Sequence, residues 1–179
     1  MTSRWRGLIS WTVTTLVLAG AIHCAAVLMY PRALMAYVER KIIKEHGKNA
    51  FRHGSRPAPK DRVVVLPSPD LIYSVAVFDV SEGPLHITAP LTGWYMSLSL
   101  YADNSDNFFV QNDRQIESGK FDVVLAGSKA SDVAVNGAQL VRAPSNKGIV
   151  LIRYFAGEGT HGEEIATRQK EIRCTTVGP

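Results

Sequence analysis

The sequence predicts a mainly β domain, an antiparallel β-sandwich or barrel-like fold with one short C-terminal helix, preceded by a single N-terminal transmembrane helix. Three observations predict it. Leu8 to Tyr30 runs for 23 residues without an Asp, Glu, Lys or Arg. Beyond Asp61 the apolar residues recur at period two in short runs. Turn residues punctuate those runs at regular intervals. A chain of 179 residues, 46% of them apolar and with a net charge of +4, suits one domain with an appendage and is not a disordered chain. Two cysteines exclude a disulfide-rich scaffold and a four-cysteine zinc site.

Residues 1–7 form a basic tail containing Arg4 and Arg6. Residues 8–30 follow as a transmembrane signal anchor, since a bilayer-spanning helix needs about 20 apolar residues. Trp5 and Trp11 lie toward one end and Tyr30 at the other, where amphipathic rings favour the interface. A cleaved signal peptide has an apolar stretch of only about 7–15 residues, so the span reads as retained. His23 within it reads as a helix–helix contact, there being no second ligand in the span. Residues 31–60 are the juxtamembrane segment. Pro31 is expected to end or kink the helix. Leu34, Val38 and Ile42, with Tyr37, recur at helical spacing and predict a short amphipathic helix, lying at the headgroup surface or solvated as a linker. From Gly47 to Lys60 the chain is polar, with Gly54, Pro57 and Pro59, and reads as a linker.

Residues 61–179 form the β-rich soluble domain. Seven strands are predicted at Leu71–Asp79, Leu85–Ala89, Trp94–Tyr101, Phe108–Gln111, Phe121–Ala126, Gln139–Arg142 and Ile149–Ala156. Glu82-Gly83-Pro84, Thr92-Gly93, Ser118-Gly119, Asn136-Gly137 and Asn146-Lys147-Gly148 separate them. Asn136-Gly137 suits a two-residue hairpin turn. Glu163–Lys170 reads as a short helix and Ile172–Val177 as a last strand. In the Trp94–Tyr101 segment, Trp94, Met96, Leu98 and Leu100 share one face. Tyr95, Ser97, Ser99 and Tyr101 share the other, which reads as a solvent side or a polar cleft.

Charge divides the chain. Residues 1–60 carry ten basic and two acidic side chains, and residues 61–179 carry ten basic and fourteen acidic ones. The basic half flanks the apolar span, so the lipid bilayer is the expected partner and nucleic acid is not. Orientation signals conflict. Arg32, Arg40, Lys41, Lys44 and Lys48 outnumber the two arginines before the span, which by the positive-inside rule places the domain in the cytoplasm. A short basic tail before a first apolar run is instead the layout of an export signal.

Gly157-Glu158-Gly159-Thr160-His161-Gly162 matches a dinucleotide-binding pattern, but only 17 residues follow it, too few for a βαβ unit and an acidic ribose ligand. Glu158, Glu163 and Glu164 would also repel a pyrophosphate there. No nucleotide or other cofactor is expected. No metal is expected either: Asp103, Asn104, Asp106 and Asn107 read as an Asx-rich turn, and the histidines are scattered. His86 reads as solvent-exposed on its strand. No catalytic signature motif is present.

Ser68-Pro69-Asp70-Leu71-Ile72-Tyr73-Ser74, followed by Phe78-Asp79, Gly83-Pro84 and Trp94-Tyr95-Met96-Ser97-Leu98, resembles the bacterial domain-of-unknown-function family numbered 1254. The likeness continues through Asn107-Phe108-Phe109 and Asn112-Asp113-Arg114, fades after about Val124, and covers roughly residues 62–156. Ser68, Ile72 and Trp94 depart from the family pattern of Asn, Leu and Arg. The resemblance implies a β-rich domain of the bacterial envelope, hence a single-pass inner-membrane protein with a periplasmic domain. It also implies that longer members carry a second domain, of the family numbered 1214, and that short anchored members work beside such a partner. It supplies no reaction.

Asp70 after Pro69 suits an Asx-type brace at the start of a strand, and Tyr73 can satisfy its hydroxyl on that brace. The functional alternative places Asp70, Tyr73, Tyr95, Tyr101 and Arg114 around one polar cleft that takes a small ligand or substrate. The leading expectation is a membrane-anchored envelope domain that binds a membrane protein partner and performs no chemistry. It predicts an exposed apolar patch or sheet edge on the domain.

Overall fold

The computed structural model describes residues 3–57, 67–130, 133–157 and 161–177. Helix α1 runs unbroken from Ser3 to His46, through Pro31. The chain then forms β1 (Arg52–His53), β2 (Leu71–Asp79), β3 (Leu85–Pro90), β4 (Met96–Ala102), β5 (Asn107–Asn112), β6 (Lys120–Gly127), β7 (Gln139–Ala143), β8 (Lys147–Phe155), α2 (Gly162–Lys170) and β9 (Arg173–Thr176). Two sheets result. One has five strands in the order β1-β2-β8-β4-β5, the other four in the order β7-β6-β3-β9. Ile72, Ala76, Phe78, Met96, Leu98, Leu100, Val150 and Ile152 of the first sheet share a core with Leu85, Ile87, Phe121, Val123, Leu125 and Val141 of the second. This is a sandwich closed by alternation: β8 reads buried at every second residue, as period two requires when one face meets a core. Helix α2 contributes Ile165 to the same core.

Strand pairing is antiparallel except between β6 and β7, which run parallel with Val123 opposite Gln139. That corrects the hairpin expected at Asn136-Gly137. The turn itself forms, with both residues at positive φ (44° and 88°) and Ala138 N–H donating to the Val135 carbonyl at 2.7 Å. It serves a crossover, because the connection from β6 is long enough to return the chain to the same end of the sheet. Gly148, between β2 and β4, has no alternative: a Cβ there would overlap the Tyr101 carbonyl oxygen and the Phe78 ring.

The segment expected to be a linker and a surface helix is part of the fold. Met35, Val38, Glu39 and Ile42 recur at three- and four-residue spacing on one side of α1 and lose their exposure. Val38, Ile42 and Ile43 pack on Val75, Val77, Ile149 and Leu151, the outer face of β2 and β8. Leu34 and Tyr37, expected in that stripe, are exposed. The helix covers the sheet because β2 and β8 are apolar on both faces, and the outer one must be buried.

After α1 the chain anneals to the edge of β2. Asn49, in the left-handed region at φ 56°, exchanges side-chain bonds with Asp79, accepting from its N–H at 2.8 Å and donating to its carbonyl at 3.2 Å. Its own N–H donates to the Val77 carbonyl at 2.8 Å. Arg52 and His53 then pair with Val75 and Ser74 as β1. The Asp79 carboxylate, 6% exposed, takes Lys48 at 2.8 Å, Lys147 at 3.7 Å and the Ser81 N–H at 3.1 Å. Burial works to raise its pKa, but the Lys48 ammonium and the Ser81 N–H overcome that and hold it at about 2, below the ordinary 3.8.

A depressed carboxylate stabilises the fold above its unfolded pKa and loses that contribution as pH falls through its folded one. Asp79→Asn should cost about 2 kcal/mol at neutral pH, the free energy of that shift. Chemical denaturation of the detergent-solubilised protein should show the gap to wild type closing between pH 4 and 2. A gap unchanged at pH 2 would mean the charge of Asp79 is not what holds the joint.

Candidate functional site

Topology gathers four of the five residues singled out in the sequence at one end of the five-stranded sheet, where β2 and β4 begin and β5 and β8 end. The turn before β2 is braced from Ser68: its hydroxyl accepts the Asp70 N–H at 3.4 Å and its N–H donates to the Tyr73 hydroxyl at 2.9 Å. Asp70 is exposed, and its carbonyl accepts the Ala156 N–H at 2.8 Å. Tyr95 precedes β4, which starts at Met96, and its carbonyl accepts the Phe155 N–H at 2.9 Å. Arg114 lies in a short 3-10 turn capped by Asn112, and the adjacent Asp113 carboxylate accepts the Met96 N–H at 3.2 Å. Tyr101 sits elsewhere. It is in register with Ile149 near the opposite end of β4, four residues and roughly 13 Å along the strand from Ser97.

The outer face of β4 is not a wet face. Ser97 and Ser99 are buried, and Arg153 donates to both hydroxyls, from Nε at 3.0 Å and from a terminal nitrogen at 3.4 Å. Tyr73, Arg153, Ser97 and Asn112 lie in one register row across four strands. Arg153 was legible as a clue, being the only charge in the apolar run Ile149–Phe155. His86 on the other sheet is likewise partnered, with Asp122 at 2.6 Å, and Asp122 takes Lys120 at 2.7 Å. Burial opposes ionisation of Asp122, yet its hydrogen bonds with Lys120 and His86 keep its pKa below the ordinary value.

Against Ile72 opens a cleft of about 430 Å³, between α2 and the strip 53–56, and none of the five residues singled out in the sequence is among its lining. His53 and Arg56 line one wall, Ala166 and Gln169 the other, and Ile72 and Ala156 lie between them. The Ser74 hydroxyl ties the walls together, meeting His53 Nδ1 at 3.0 Å and accepting Gln169 Nε2 at 3.1 Å. Gln169 also donates to the Gly54 carbonyl at 3.2 Å. Gly54 approaches β2 closely: its N–H donates to the Tyr73 carbonyl at 2.8 Å, and a Cβ would stand 3.1 Å from that oxygen. Arg56 donates to the Ala156 and Gly157 carbonyls. Burial pushes the His53 pKa down, so its ring is neutral at pH 7 and serves as a hydrogen-bond partner. Burial also raises the phenol pKa of Tyr154, with the Ser74 hydroxyl opposing, and the phenol oxygen makes no bond of normal geometry among the described residues. Because Ser74 is fully buried, its contact with His53 is a structural brace. One wall of this cleft, His53 to Arg56, comes from a stretch read as a linker, and only the tertiary fold reveals it.

The same end of the domain displays aromatic surface. Trp94, Tyr95 and Phe155 are 42%, 44% and 39% exposed. The His161 ring stacks on Trp94 at a centroid distance of 4.0 Å. Gly157 joins the group, since a Cβ there would stand 3.5 Å from both the Phe155 and His161 rings. Of the expected dinucleotide-like loop, Glu158–Thr160 lies outside the described residues. Asn104 and Asp106 form the Asx-type turn read from the sequence, with Asp106 N–H donating to Asn104 Oδ1 at 3.1 Å. No group of three or more His, Cys, Asp or Glu among the described residues is spaced to hold a metal.

The family profile described as "Protein of unknown function (DUF1254)" matches residues 48–176. The chain belongs to the DUF1254 family. The match starts earlier and ends later than the motif likeness in the sequence, and so includes β1, α2 and β9. The domain is similar to the crystal structure of the VPA0106 protein from Vibrio parahaemolyticus, with a TM-score of 0.67 and 14% identity. That likeness covers 86% of this chain and 37% of the other, so this chain spans little more than a third of its length. An uncharacterised protein from Burkholderia cenocepacia matches at a TM-score of 0.44 and 17% identity, over 68% of this chain and 35% of that one. No curated protein matches.

Gln169 is the bond that closes α2 of the DUF1254 domain over β2. Gln169→Leu should destabilise the protein by about 1–3 kcal/mol, the cost of leaving buried polar groups unsatisfied. Thermal melts in mild detergent would read this, and a melting point equal to wild type would show that the Ser74 cluster satisfies itself without Gln169.

Proposed function

We propose that this chain is a single-pass inner-membrane protein whose periplasmic DUF1254 domain binds a second envelope protein and performs no chemistry of its own. The aromatic surface of Trp94, Tyr95 and Phe155 carries the proposal. Exposed clustered Trp, Tyr and Phe are what interface hot spots are made of, and a solvated surface gains nothing from them. The partner we favour carries the 1214-type domain that longer members of the family hold in the same chain. The length comparison supports this, because the fold here matches only 37% of the VPA0106 chain.

The anchor rests on α1. Among the described residues one helix is long and apolar enough to cross a membrane, and from Trp5 to Tyr30 all its side chains are exposed. Leu8–Tyr30 would measure about 35 Å, enough for a hydrocarbon core of about 30 Å. Met35, the first buried residue of α1, follows Tyr30 by about 8 Å of helix, which would hold the domain close to the headgroups. A periplasmic domain accords with the export-like basic tail against the flanking charge count. A second reading, a small-ligand binder, is favoured by the cleft between α2 and the strip 53–56, which lies toward the Asp70 end of β2 but is not lined by Asp70, Tyr73, Tyr95 or Arg114.

Purification of the intact protein in mild detergent should bring down a stoichiometric membrane partner. The double variant Trp94→Ala, Phe155→Ala should weaken that association roughly thirtyfold, as expected for hot-spot loss of about 2 kcal/mol. Undiminished association would remove the patch from the interface, and a lone protein retaining a small molecule would favour the cleft. Protease added outside spheroplasts should digest the domain; full protection there would place it in the cytoplasm.

A further inference from the structure

Glu39 lies on the side of α1 that faces the five-stranded sheet. It is 8% exposed, and its Oε1 is buried with no hydrogen-bond partner among the described residues. An ionised carboxylate is poorly accommodated in such a place, because buried charge needs a partner. The charged groups facing it are Asp103 after β4, Lys147 at the start of β8 and Asp79 at the end of β2. Lys147 does not settle the account. It stands 3.7 Å from the Asp79 carboxylate, which Lys48 also holds at 2.8 Å. Asp103 and Asp79 thus oppose ionisation of Glu39, and the one lysine that favours it, Lys147, is shared with Asp79. A metal ion is a poor counterion here, since no group of three or more His, Cys, Asp or Glu among the described residues is placed to hold one. A proton meets the need at a single oxygen.

We propose that Glu39 is a protonation latch between the membrane helix and the β domain. Protonated, it lies neutral in the seam and α1 stays docked. Ionised, its buried charge and the facing Asp79 and Asp103 loosen residues 35–46 from the sheet, while Val38, Ile42 and Ile43 limit the excursion. Burial first, then Asp103 and Asp79 against an opposing Lys147, raise the docked pKa above the ordinary 4.5. A raised carboxyl pKa means that the docked state holds the proton more tightly. Docking is therefore complete below 4.5 and weakens as pH rises through the docked value. Across that window its equilibrium changes by up to about tenfold per pH unit. The latch does not depend on the partner proposed above.

The full chain in neutral-lipid nanodiscs, with Cys24 and Cys174 replaced, can carry spin labels at Arg40 and Val110, both exposed. The distance distribution should be narrow at pH 4.5 and broaden toward pH 8.5. Glu39→Gln, which mimics the protonated acid, should keep it narrow throughout. Asp103→Asn, at an exposed position that leaves the core intact, should raise the docked fraction at intermediate pH by lowering the pKa of Glu39 and weakening the repulsion. A distribution independent of pH in wild type, or broad in Glu39→Gln, would overturn the latch. So would an unchanged response in Asp103→Asn, or magnesium or calcium closing the seam at pH 8.5 in place of protons.

Discussion

The docking of α1 on the outer face of β2 and β8 governs the rest of the molecule. A sandwich of this kind leaves the outside of each sheet to water. Here β2 and β8 are apolar on both sides, with Val75, Val77, Ile149 and Leu151 turned outward. Burying those residues requires another layer, and the helix supplies it. Because α1 is continuous from Ser3 to His46, the layer that completes the domain is the same rod that carries the apolar span. The helix and the sandwich are one structural unit, joined by hydrophobic contact and then locked by Asn49 and Lys48 on Asp79.

That joint explains the early start of the family match. Residues 48–57 add only the partly buried Phe51 at the margin of the sandwich core, yet they bind β2 along its edge. An unpaired edge of β2 would expose a row of backbone donors and acceptors. Asn49, Arg52, His53 and Gly54 satisfy it in turn, and Gln169 bonds the same strip from α2. Helix, edge strip and α2 thus all depend on β2, and a change in one is felt by the others through Ser74 and Asp79.

Function separates from this scaffold by position. The helix joint lies toward the end of β2 marked by Asp79, and the aromatic surface lies toward the end marked by Asp70. The first end is rich in ion pairs and tightly bonded. The second has exposed rings and a cleft, features that a partner or ligand can bury with gain. With α1 docked, no separate linker stands between the apolar run and the sheet. Turns braced by Ser68 and Asn112 hold Asp70 and Arg114 at the second end.

Local signals were enough for most of the elements. Period two and turn residues located seven strands to within about two residues, because alternation is imposed by a single neighbouring core. The apolar run and its flanks likewise defined the candidate span without reference to anything distant. Leu34 and Tyr37 carried the same apolar signal as Val38 and Ile42 but are exposed, since composition does not say which face of a helix meets the sheet. Tertiary structure alone decided four things: that the strip after α1 is a strand, that β6 and β7 run parallel, that α1 covers the sheet, and that Tyr101 parts from the other candidate residues. Each is a pairing across long stretches of chain, as when Tyr73 meets Arg153 and Ser97 in one row. Such pairings depend on which surfaces remain unburied after every other element has packed, a property of the whole fold that no local pattern of residues encodes.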